Sequence, residues 1–214
     1  MQLIPATTAD AACLADILFT AFADDKLIVG TCYPDTPANR AWWARNIASQ
    51  MSDPHTKVFK VVADDGPIIA WAKWLVQRNK DDAPAEGAVN PSNEPSPDMN
   101  LEACMKLAGA QYKMREAVMQ GRDHYWLNAL ATHPAYQSQG AATALVALGT
   151  KLADEEGVEC FSACTTQANA NMKHVFKRAG FSVVAEEPVA NGLNVHAGYR
   201  AASLGCESVD VDMT

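Results

Sequence analysis

The segment from residue 126 to residue 155 restricts the fold more than any other part of the chain. It begins with an apolar run, WLNALAT, that is typical of a buried strand, and it turns at His133 and Pro134. A polar stretch around Gly140 leads directly into apolar residues at helical spacing, which predicts a strand, a corner and a helix start. The first N–H groups of a helix lack intrahelical partners, and a neighbouring glycine lets a ligand approach the main chain. This corner is therefore typical of a site for phosphate oxygens.

Two motifs in this region resemble those of a known family. The pattern Q-x-x-G-x-A, formed by Gln137, Gly140 and Ala142 after a strand ending in THP, resembles the acyl-CoA-binding motif of the GNAT N-acyltransferase superfamily. The later run from Asn169 to Phe181, which ends in RAGF, resembles the next conserved segment of that family. Upstream, the sequence WAKW, followed by a polar insert, resembles a fungal-type subgroup of the superfamily.

The resemblance implies a fold of the α/β class (α+β, with a mixed sheet). We expect residues 1–214 to form a single N-acetyltransferase-like domain. Its central sheet is expected to be mixed, mostly antiparallel, and built of about six or seven strands flanked by helices. Residues 77–100 are rich in Pro, Asn, Ser, Asp and Glu, which predicts a mobile surface insert. Hydrophobic spacing predicts a helix over residues 101–119 directly after this insert.

Composition limits the classes of partner. The formal net charge is −8 and the isoelectric point is near 5.0, which argues against general affinity for nucleic acids. The six cysteines form no CxxC pair and no paired metal-ligand spacing, so we expect reduced thiols and no metal. The sequence begins without a secretory signal and has no apolar run of membrane-spanning length, which predicts a soluble, cytoplasmic protein. The sequence does not predict an oligomeric state.

The resemblance further implies that the cofactor is acetyl-CoA or coenzyme A. Main-chain N–H groups from Gln137 through Ala142, with the Thr143 hydroxyl nearby, would hold the pyrophosphate, and Leu130 and Thr132 would pair with the pantetheine arm. Many relatives carry a cation where this chain has Ser138 and Gln139, so Lys173, Lys177 or Arg178 would supply charge for a terminal phosphate. The residues expected to bind cofactor are Leu130, Thr132, Gln137, Ser138, Gln139, Gly140, Ala141, Ala142, Thr143, Asn169 and Phe176.

The reaction implied is transfer of an acyl group, expected to be acetyl, to a small-molecule amine by direct attack in a ternary complex. Phe176 occupies the position at which many relatives have a tyrosine that protonates the departing thiolate, and phenylalanine has no proton to give. This departure supports an alternative: a GNAT-fold protein that binds CoA or acyl-CoA but has lost or changed its catalysis. His124, at the entrance of the strand, is the candidate general base, and a surface histidine is its alternative. Cys164 is either a nucleophile or an ordinary buried cysteine.

Aromatic residues are the candidates for the acceptor pocket. By resemblance the segment between the first two helices lines that pocket, and we expect substrate contacts from Tyr33, Trp71, Trp74, Trp126 and Asn128. Strict alternation predicts that Trp126, Asn128 and Leu130 share one face of their strand. Each tryptophan taken alone is more often a core residue. Lys73, between two tryptophans, either packs on aromatic faces or points into a cleft.

Overall fold

Seven strands form one mixed sheet in the computed structural model, which describes residues 1–78, 94–165, 170–190 and 193–203. Short helical turns at Thr8–Asp10, Ile28–Cys32 and Pro134–Tyr136 connect the larger elements. The elements in chain order are β1 (Gln2–Pro5), α1 (Ala11–Ala21), α2 (Pro37–Gln50), β2 (Thr56–Val62), β3 (Ile68–Gln77), α3 (Leu101–Met119), β4 (His124–Thr132), α4 (Ala141–Glu155), β5 (Glu159–Thr165), α5 (Ala170–Arg178), β6 (Ser182–Ala190) and β7 (Leu193–Arg200).

The strand order is β1-β2-β3-β4-β5-β7-β6, and every neighbouring pair is antiparallel except β4 and β5. A parallel pair needs a crossover connection, and α4 supplies it. The predicted α/β class, with a mixed and mostly antiparallel sheet flanked by helices, is confirmed. Among the described residues, no helix is long and apolar enough to cross a membrane.

Strands β4 and β5 stay together for only part of their length. Residues 124–127 of β4 pair with residues 159–162 of β5, and β5 then continues against β7 as far as Thr165. Residues 128–132 of β4 lie beside β3 on one side. On the other side, among the described strands, they have no pairing with β5. The sheet therefore opens at the carboxyl end of β4.

A β-bulge interrupts the pairing of β3 with β4. Lys73 pairs with Ala129 and Trp74 pairs with Leu127, so Asn128 is an extra residue on β4. Leu127 and Leu130 consequently pack on the same side of the sheet, with α4, whereas Trp126 packs on the other side with α3. The prediction that Trp126, Asn128 and Leu130 share one face is wrong, because the extra residue shifts the alternation by one.

Helices cover both faces of the sheet. On one face α4 approaches β3 so closely that a Cβ atom built on Gly149 would lie 2.0 Å from Cε2 of Trp74. Because glycine has no side chain, the helix can rest directly on the indole ring. The other face packs against α1, α2 and α3, in two clusters that include Trp71 and Trp126 respectively.

The insert predicted over residues 77–100 lies mostly outside the described residues. Gln77 belongs to β3, where it pairs with His124, so the first residue of that prediction is wrong. Helix α3 begins directly after Asn100, whose side chain accepts a hydrogen bond from the Ala103 N–H at 3.1 Å. This cap explains why the predicted start of α3 agrees with the structure.

Candidate functional site

A cavity of about 610 Å³ lies where β4 and β5 separate. Its walls come from the carboxyl end of α1, the end of β4, the corner after β4, the first turn of α4 and one side of α5. The lining residues are Thr20, Ala21, Phe22, Ala23, Asp24, Asp25, Leu130, Ala131, Thr132, Pro134, Tyr136, Gln137, Ser138, Gly140, Ala141, Ala142, Thr143, Met172, His174, Val175 and Arg178.

The corner after β4 is held by local hydrogen bonds. The His133 N–H donates to the Ile69 carbonyl at 2.8 Å, which ties the end of β4 to the start of β3. A single helical turn, Pro134–Tyr136, follows, and the Gln137 side-chain amide donates back to the Thr132 carbonyl at 3.4 Å. These contacts aim the chain from the strand into α4.

The first turn of α4 presents main-chain donors to the cavity. Ser138 has φ 61° and Gly140 has φ 91°, both left-handed conformations, and no side chain caps the helix at Gly140. A Cβ atom built on Gly140 would meet no protein atom within 4 Å, so the space in front of it is open. The first N–H groups of α4 have no partner within the helix and lie at the positive end of its dipole. This arrangement can bind a phosphate or pyrophosphate group.

Charges of opposite sign lie on different walls of the cavity. Arg178, the last residue of α5, contributes a cation to the wall formed by α5. Asp24 and Asp25, just after α1, contribute carboxylates. Asp25 is held in place because its Oδ1 accepts hydrogen bonds from the N–H groups of Leu27 and Ile28, at 2.9 and 2.7 Å. The cavity therefore suits a ligand with a negative end near α4 and α5 and a positive group near α1.

Most residues expected to bind cofactor lie on the cavity wall: Leu130, Thr132, Gln137, Ser138, Gly140, Ala141, Ala142 and Thr143. The side-chain amide of Gln139 instead donates to the Ala135 carbonyl at 3.5 Å. The ring of Phe176 packs edge-on against Phe181, with ring centroids 5.2 Å apart. Asn169 lies outside the described residues. The structure thus brings the predicted main-chain cradle together and places the side chains of Gln139 and Phe176 in protein contacts.

His124 lies at the opposite end of β4 from the cavity. It is 3% exposed, and its Nδ1–H donates to the Arg122 carbonyl at 2.7 Å. Leu130 lies six positions further along the strand, which corresponds to roughly 20 Å of extended chain. Burial lowers the pKa of the imidazole below its ordinary value. The structure therefore separates this candidate base from the cavity.

The aromatic residues expected to contact substrate lie in the core. Trp71, Trp74 and Trp126 are at most 1% exposed, and each belongs to a different apolar cluster. Tyr33 stacks on Trp42, with ring centroids 5.8 Å apart. Asn128 is the half-buried bulge residue of β4. The three indole rings therefore lie in the core, as the alternative states, while their buried N–H groups have no hydrogen-bond partner among the described residues.

By resemblance the segment between the first two helices was expected at the acceptor pocket, but the sequence singled out none of residues 20–25 as wall residues, nor Tyr136, Met172, His174 and Val175. The acidic pair after α1 was visible in the sequence, but no spacing rule says which strand end it will meet. The sequence leaves two alternatives for Cys164, a nucleophile or an ordinary buried cysteine. Burial raises the pKa of its thiol to about 11, which keeps it protonated and poorly reactive near neutral pH.

Several solved structures with a similar fold are described as acetyltransferases. A protein described as histone acetyltransferase HPA2 and related acetyltransferase, from Corynebacterium glutamicum, is 17% identical over 94% of this chain and 96% of its own, with a TM-score of 0.61. A phosphinothricin acetyltransferase of the GNAT superfamily from Sinorhizobium meliloti, solved in complex with acetyl-CoA, is 13% identical over 99% of this chain and 96% of its own, with a TM-score of 0.59. A putative acetyltransferase from Salmonella typhimurium, solved with its cofactor acetyl-CoA, is 15% identical over 94% of both chains, with a TM-score of 0.57. At these identities the similarity establishes the fold alone.

The family assignment comes from the sequence. A comparison with curated proteins gave no match. The family model for the acetyltransferase (GNAT) family matches residues 16–181, which is more than half of the 214 residues. The matched region contains the cavity walls from Thr20 to Arg178 and the whole of the corner between β4 and α4. The chain belongs to the acetyltransferase (GNAT) family.

Proposed function

We propose that this protein is an N-acetyltransferase that transfers an acetyl group from acetyl-CoA to a small-molecule amine by direct attack in a ternary complex. The observation that carries the proposal is the main-chain cradle at Gly140, which opens onto a cavity where β4 has lost its β5 partner. Two proteins of the same fold are described as binding acetyl-CoA. Residues 1–214 are proposed to act as one catalytic domain.

The cradle fits the charged part of the proposed cosubstrate. The N–H groups between Gln137 and Ala142 would hold the pyrophosphate, and the hydroxyl of Thr143 lies on the same wall. Each charge-assisted hydrogen bond of this kind contributes roughly 1.5–3 kcal/mol. Arg178 lies on the wall formed by α5, where it would attract further phosphate charge.

The free edge of β4 fits the pantetheine arm. Beyond Leu127 the pairing of the described strands leaves the β5 side of β4 without a partner, and Leu130 and Thr132 line the cavity there. Amide groups of a bound ligand can add to such an edge as an extra strand would. In this placement the pantetheine arm extends from the first turn of α4, and its thioester end lies toward the carboxyl end of α1.

The acceptor amine would approach from the α1 side. An alkylammonium ion has a pKa near 10 and must lose a proton before it can attack a thioester. The carboxylates of Asp24 and Asp25 lie on that wall, where they would attract the ammonium form and accept its proton directly or through water. We propose this acidic pair, rather than His124, as the group that prepares the amine.

Phe176 favours a second candidate function. Its ring packs on Phe181 and carries no acidic proton, so the chain offers no phenol at the position where many relatives protonate the departing thiolate. A thiol of pKa about 8.5 that leaves at pH 7 needs roughly 2 kcal/mol of assistance, which water can supply only in part. A protein that binds acetyl-CoA without transferring acetyl efficiently is therefore the alternative.

Isothermal titration with acetyl-CoA tests the binding site. The Gly140→Ala variant places a methyl group in the open space before the cradle, and we expect the affinity to fall by about tenfold or more. Gly66→Ala is the matched control, because Gly66 also has a positive φ (102°) with open space around it but lies in the β2–β3 turn. An unchanged affinity in Gly140→Ala, or an equal loss in both variants, would contradict the proposed site.

Release of free thiol from acetyl-CoA in the presence of an amine panel tests the reaction. We expect amine-dependent release that is faster than hydrolysis alone. Tight acetyl-CoA binding without amine-dependent release would instead support the second candidate function. Absence of acetyl-CoA binding would rule out both.

A further inference from the structure

One side of α2 carries polar groups into the protein interior. Asn46 and Gln50 lie four residues apart and Trp43 lies three residues before Asn46, so the three share one stripe of the helix. Asn46 is 6% exposed, and Trp43 packs in the cluster that contains Trp71 of β3. The stripe therefore lies against the face of the sheet that packs on α1 and α2.

Lys73 of β3 meets this stripe from the sheet. It is 3% exposed, and its Nζ donates to Oε1 of Gln50 at 2.6 Å. Gln50 is neutral, and among the described residues it is the only side chain that accepts a hydrogen bond from Lys73. Burial lowers the pKa of Lys73 to about 8, and no neighbouring charge contributes to this shift. The buried ammonium thus carries a desolvation cost that no carboxylate of the described residues offsets.

Polar atoms of the α2 stripe and of Trp71, two residues before Lys73 on β3, lack partners. The indole N–H groups of Trp43 and Trp71 and the side-chain oxygen of Asn46 are buried, and none has a hydrogen-bond partner in the described part of the chain. Buried polar atoms are normally satisfied, so unpartnered ones require an explanation. Two N–H donors and an ammonium on one face of the sheet and the helix packed on it can bind a carboxylate, and an amide oxygen can accept from an amine.

Lys73 and the stripe of α2 lie next to the proposed reaction site. Lys73 pairs with Ala129 of β4, and directly opposed residues of an antiparallel pair share a face. Ala131, two residues further along β4, packs in the same cluster as Ala129 and lines the cavity. Two residues of a strand span roughly 7 Å, a distance that a lysine side chain and a small ligand can bridge.

We propose that Lys73 binds a carboxylate of the acceptor, so that the acceptor is an amino acid rather than a simple amine or a polyamine. The Trp43 and Trp71 N–H groups assist Lys73, and the amino group of the acceptor faces the wall that carries Asp24 and Asp25. This inference rests on the proposed acetyl transfer and adds the class of acceptor to it. A polyamine would place positive charge beside a buried ammonium, which is unfavourable.

Matched acceptor pairs test the inference. L-Leucine is compared with 3-methylbutylamine, and L-phenylalanine with 2-phenylethylamine, because each pair differs only by the carboxylate. We expect the wild-type protein to favour the amino acid of each pair in kcat/KM by about 10- to 100-fold, the factor for a charge-assisted hydrogen bond. Lys73→Met removes the charge at similar length and should abolish this preference, and Lys73→Gln serves as a second variant.

Lys57→Met is the matched control, since Lys57 pairs with Trp74 and therefore lies on the opposite face of the sheet. It should keep the preference for amino acids. A wild-type preference for the decarboxylated amines, or an unchanged preference in both Lys73 variants, would overturn the inference while leaving acetyl transfer intact.

Calorimetry with L-leucine separates failure of this inference from failure of the proposed function. If acetyl-CoA binds but no amine reacts, tighter leucine binding by the wild-type protein than by Lys73→Met still supports the inference, and equal binding refutes it. If acetyl-CoA does not bind, the proposed function fails, and the same comparison of leucine binding decides the inference separately.

Discussion

Gly149 of α4 provides the sharpest test of how the fold positions the cavity. A Cβ atom at this residue would lie 2.0, 2.3 and 2.5 Å from Cε2, Cζ2 and Nε1 of Trp74. Non-bonded carbon atoms prefer about 3.5–4.0 Å, so Gly149→Ala requires the helix or the ring to move by roughly 1.5 Å. Trp74 is 0% exposed and packs against Tyr125, with ring centroids 6.3 Å apart, so the ring has no open space to enter.

The expected cost of Gly149→Ala follows from two opposing effects. Overpacking of this kind costs about 1–3 kcal/mol and occasionally more, whereas alanine favours a helix interior over glycine by about 1 kcal/mol. Because the overlap involves three ring atoms, we expect a net loss of about 2 kcal/mol in the free energy of unfolding. Any displacement of α4 also moves its first turn, so the affinity for acetyl-CoA should fall as well.

Urea denaturation followed by circular dichroism measures the loss. Gly109→Ala is the control, because Gly109 lies in α3 and a Cβ atom there would meet nothing within 4 Å. This control should be more stable than wild type by up to about 1 kcal/mol. If Gly149→Ala were as stable as Gly109→Ala, the close contact between α4 and Trp74 would be wrong, and so would the inferred position of the cradle.

Three further predictions concern charge and catalysis. The pKa of Lys73 in the folded protein, about 8, lies below the ordinary 10.5. Between pH 8 and pH 10.5 the folded protein loses a proton that the unfolded chain keeps, so the wild-type free energy of unfolding should rise by about 3 kcal/mol over this range. Urea denaturation should show no such rise for Lys73→Met, and parallel pH profiles of the two proteins would contradict the lowered pKa. Arg178→Ala should weaken acetyl-CoA binding by about two- to fivefold in calorimetry at low salt, and by less at high salt. Lys177→Ala is the control and should leave the affinity unchanged, because Lys177 lies on the same helix but is not among the residues that line the cavity. Phe176→Tyr should leave turnover within about twofold in the thiol-release assay, because the ring packs on Phe181; a gain of the size of general-acid catalysis, about 100-fold or more, would show that the phenol reaches the thioester.

Local signals explain what could be predicted from the sequence. Helix α3 has an asparagine cap before Leu101 and left-handed residues directly after Met119, both encoded by neighbours in the chain. The cradle at Gly140 is similarly local, because a strand end, a proline corner and a helix start fix the direction of its N–H groups. Such features need no knowledge of distant residues.

Features that depend on distant residues were missed. No residue of β4 signals that Asn128 will be extra, since the bulge results from how β3 and β4 align along their whole length. The wall at Asp24 and Asp25 meets the end of β4 only through the topology of the sheet. His124 was a reasonable candidate by residue type, but its position at the start rather than the end of β4 removes it from the cavity.

The extra residue in β4 has a consequence for protein engineering. Residues 124–127 and residues 129–132 form two blocks in which the alternation of side chains between the two faces of the sheet is offset by one residue. Asn128, the bulge residue, separates the two blocks. Grafting a substitution pattern from a straight strand onto both blocks would put side chains on the wrong face of the sheet in one of them. Attempts to change the acceptor of this enzyme should therefore substitute residues of the second block alone and keep Asn128, so that the bulge is preserved.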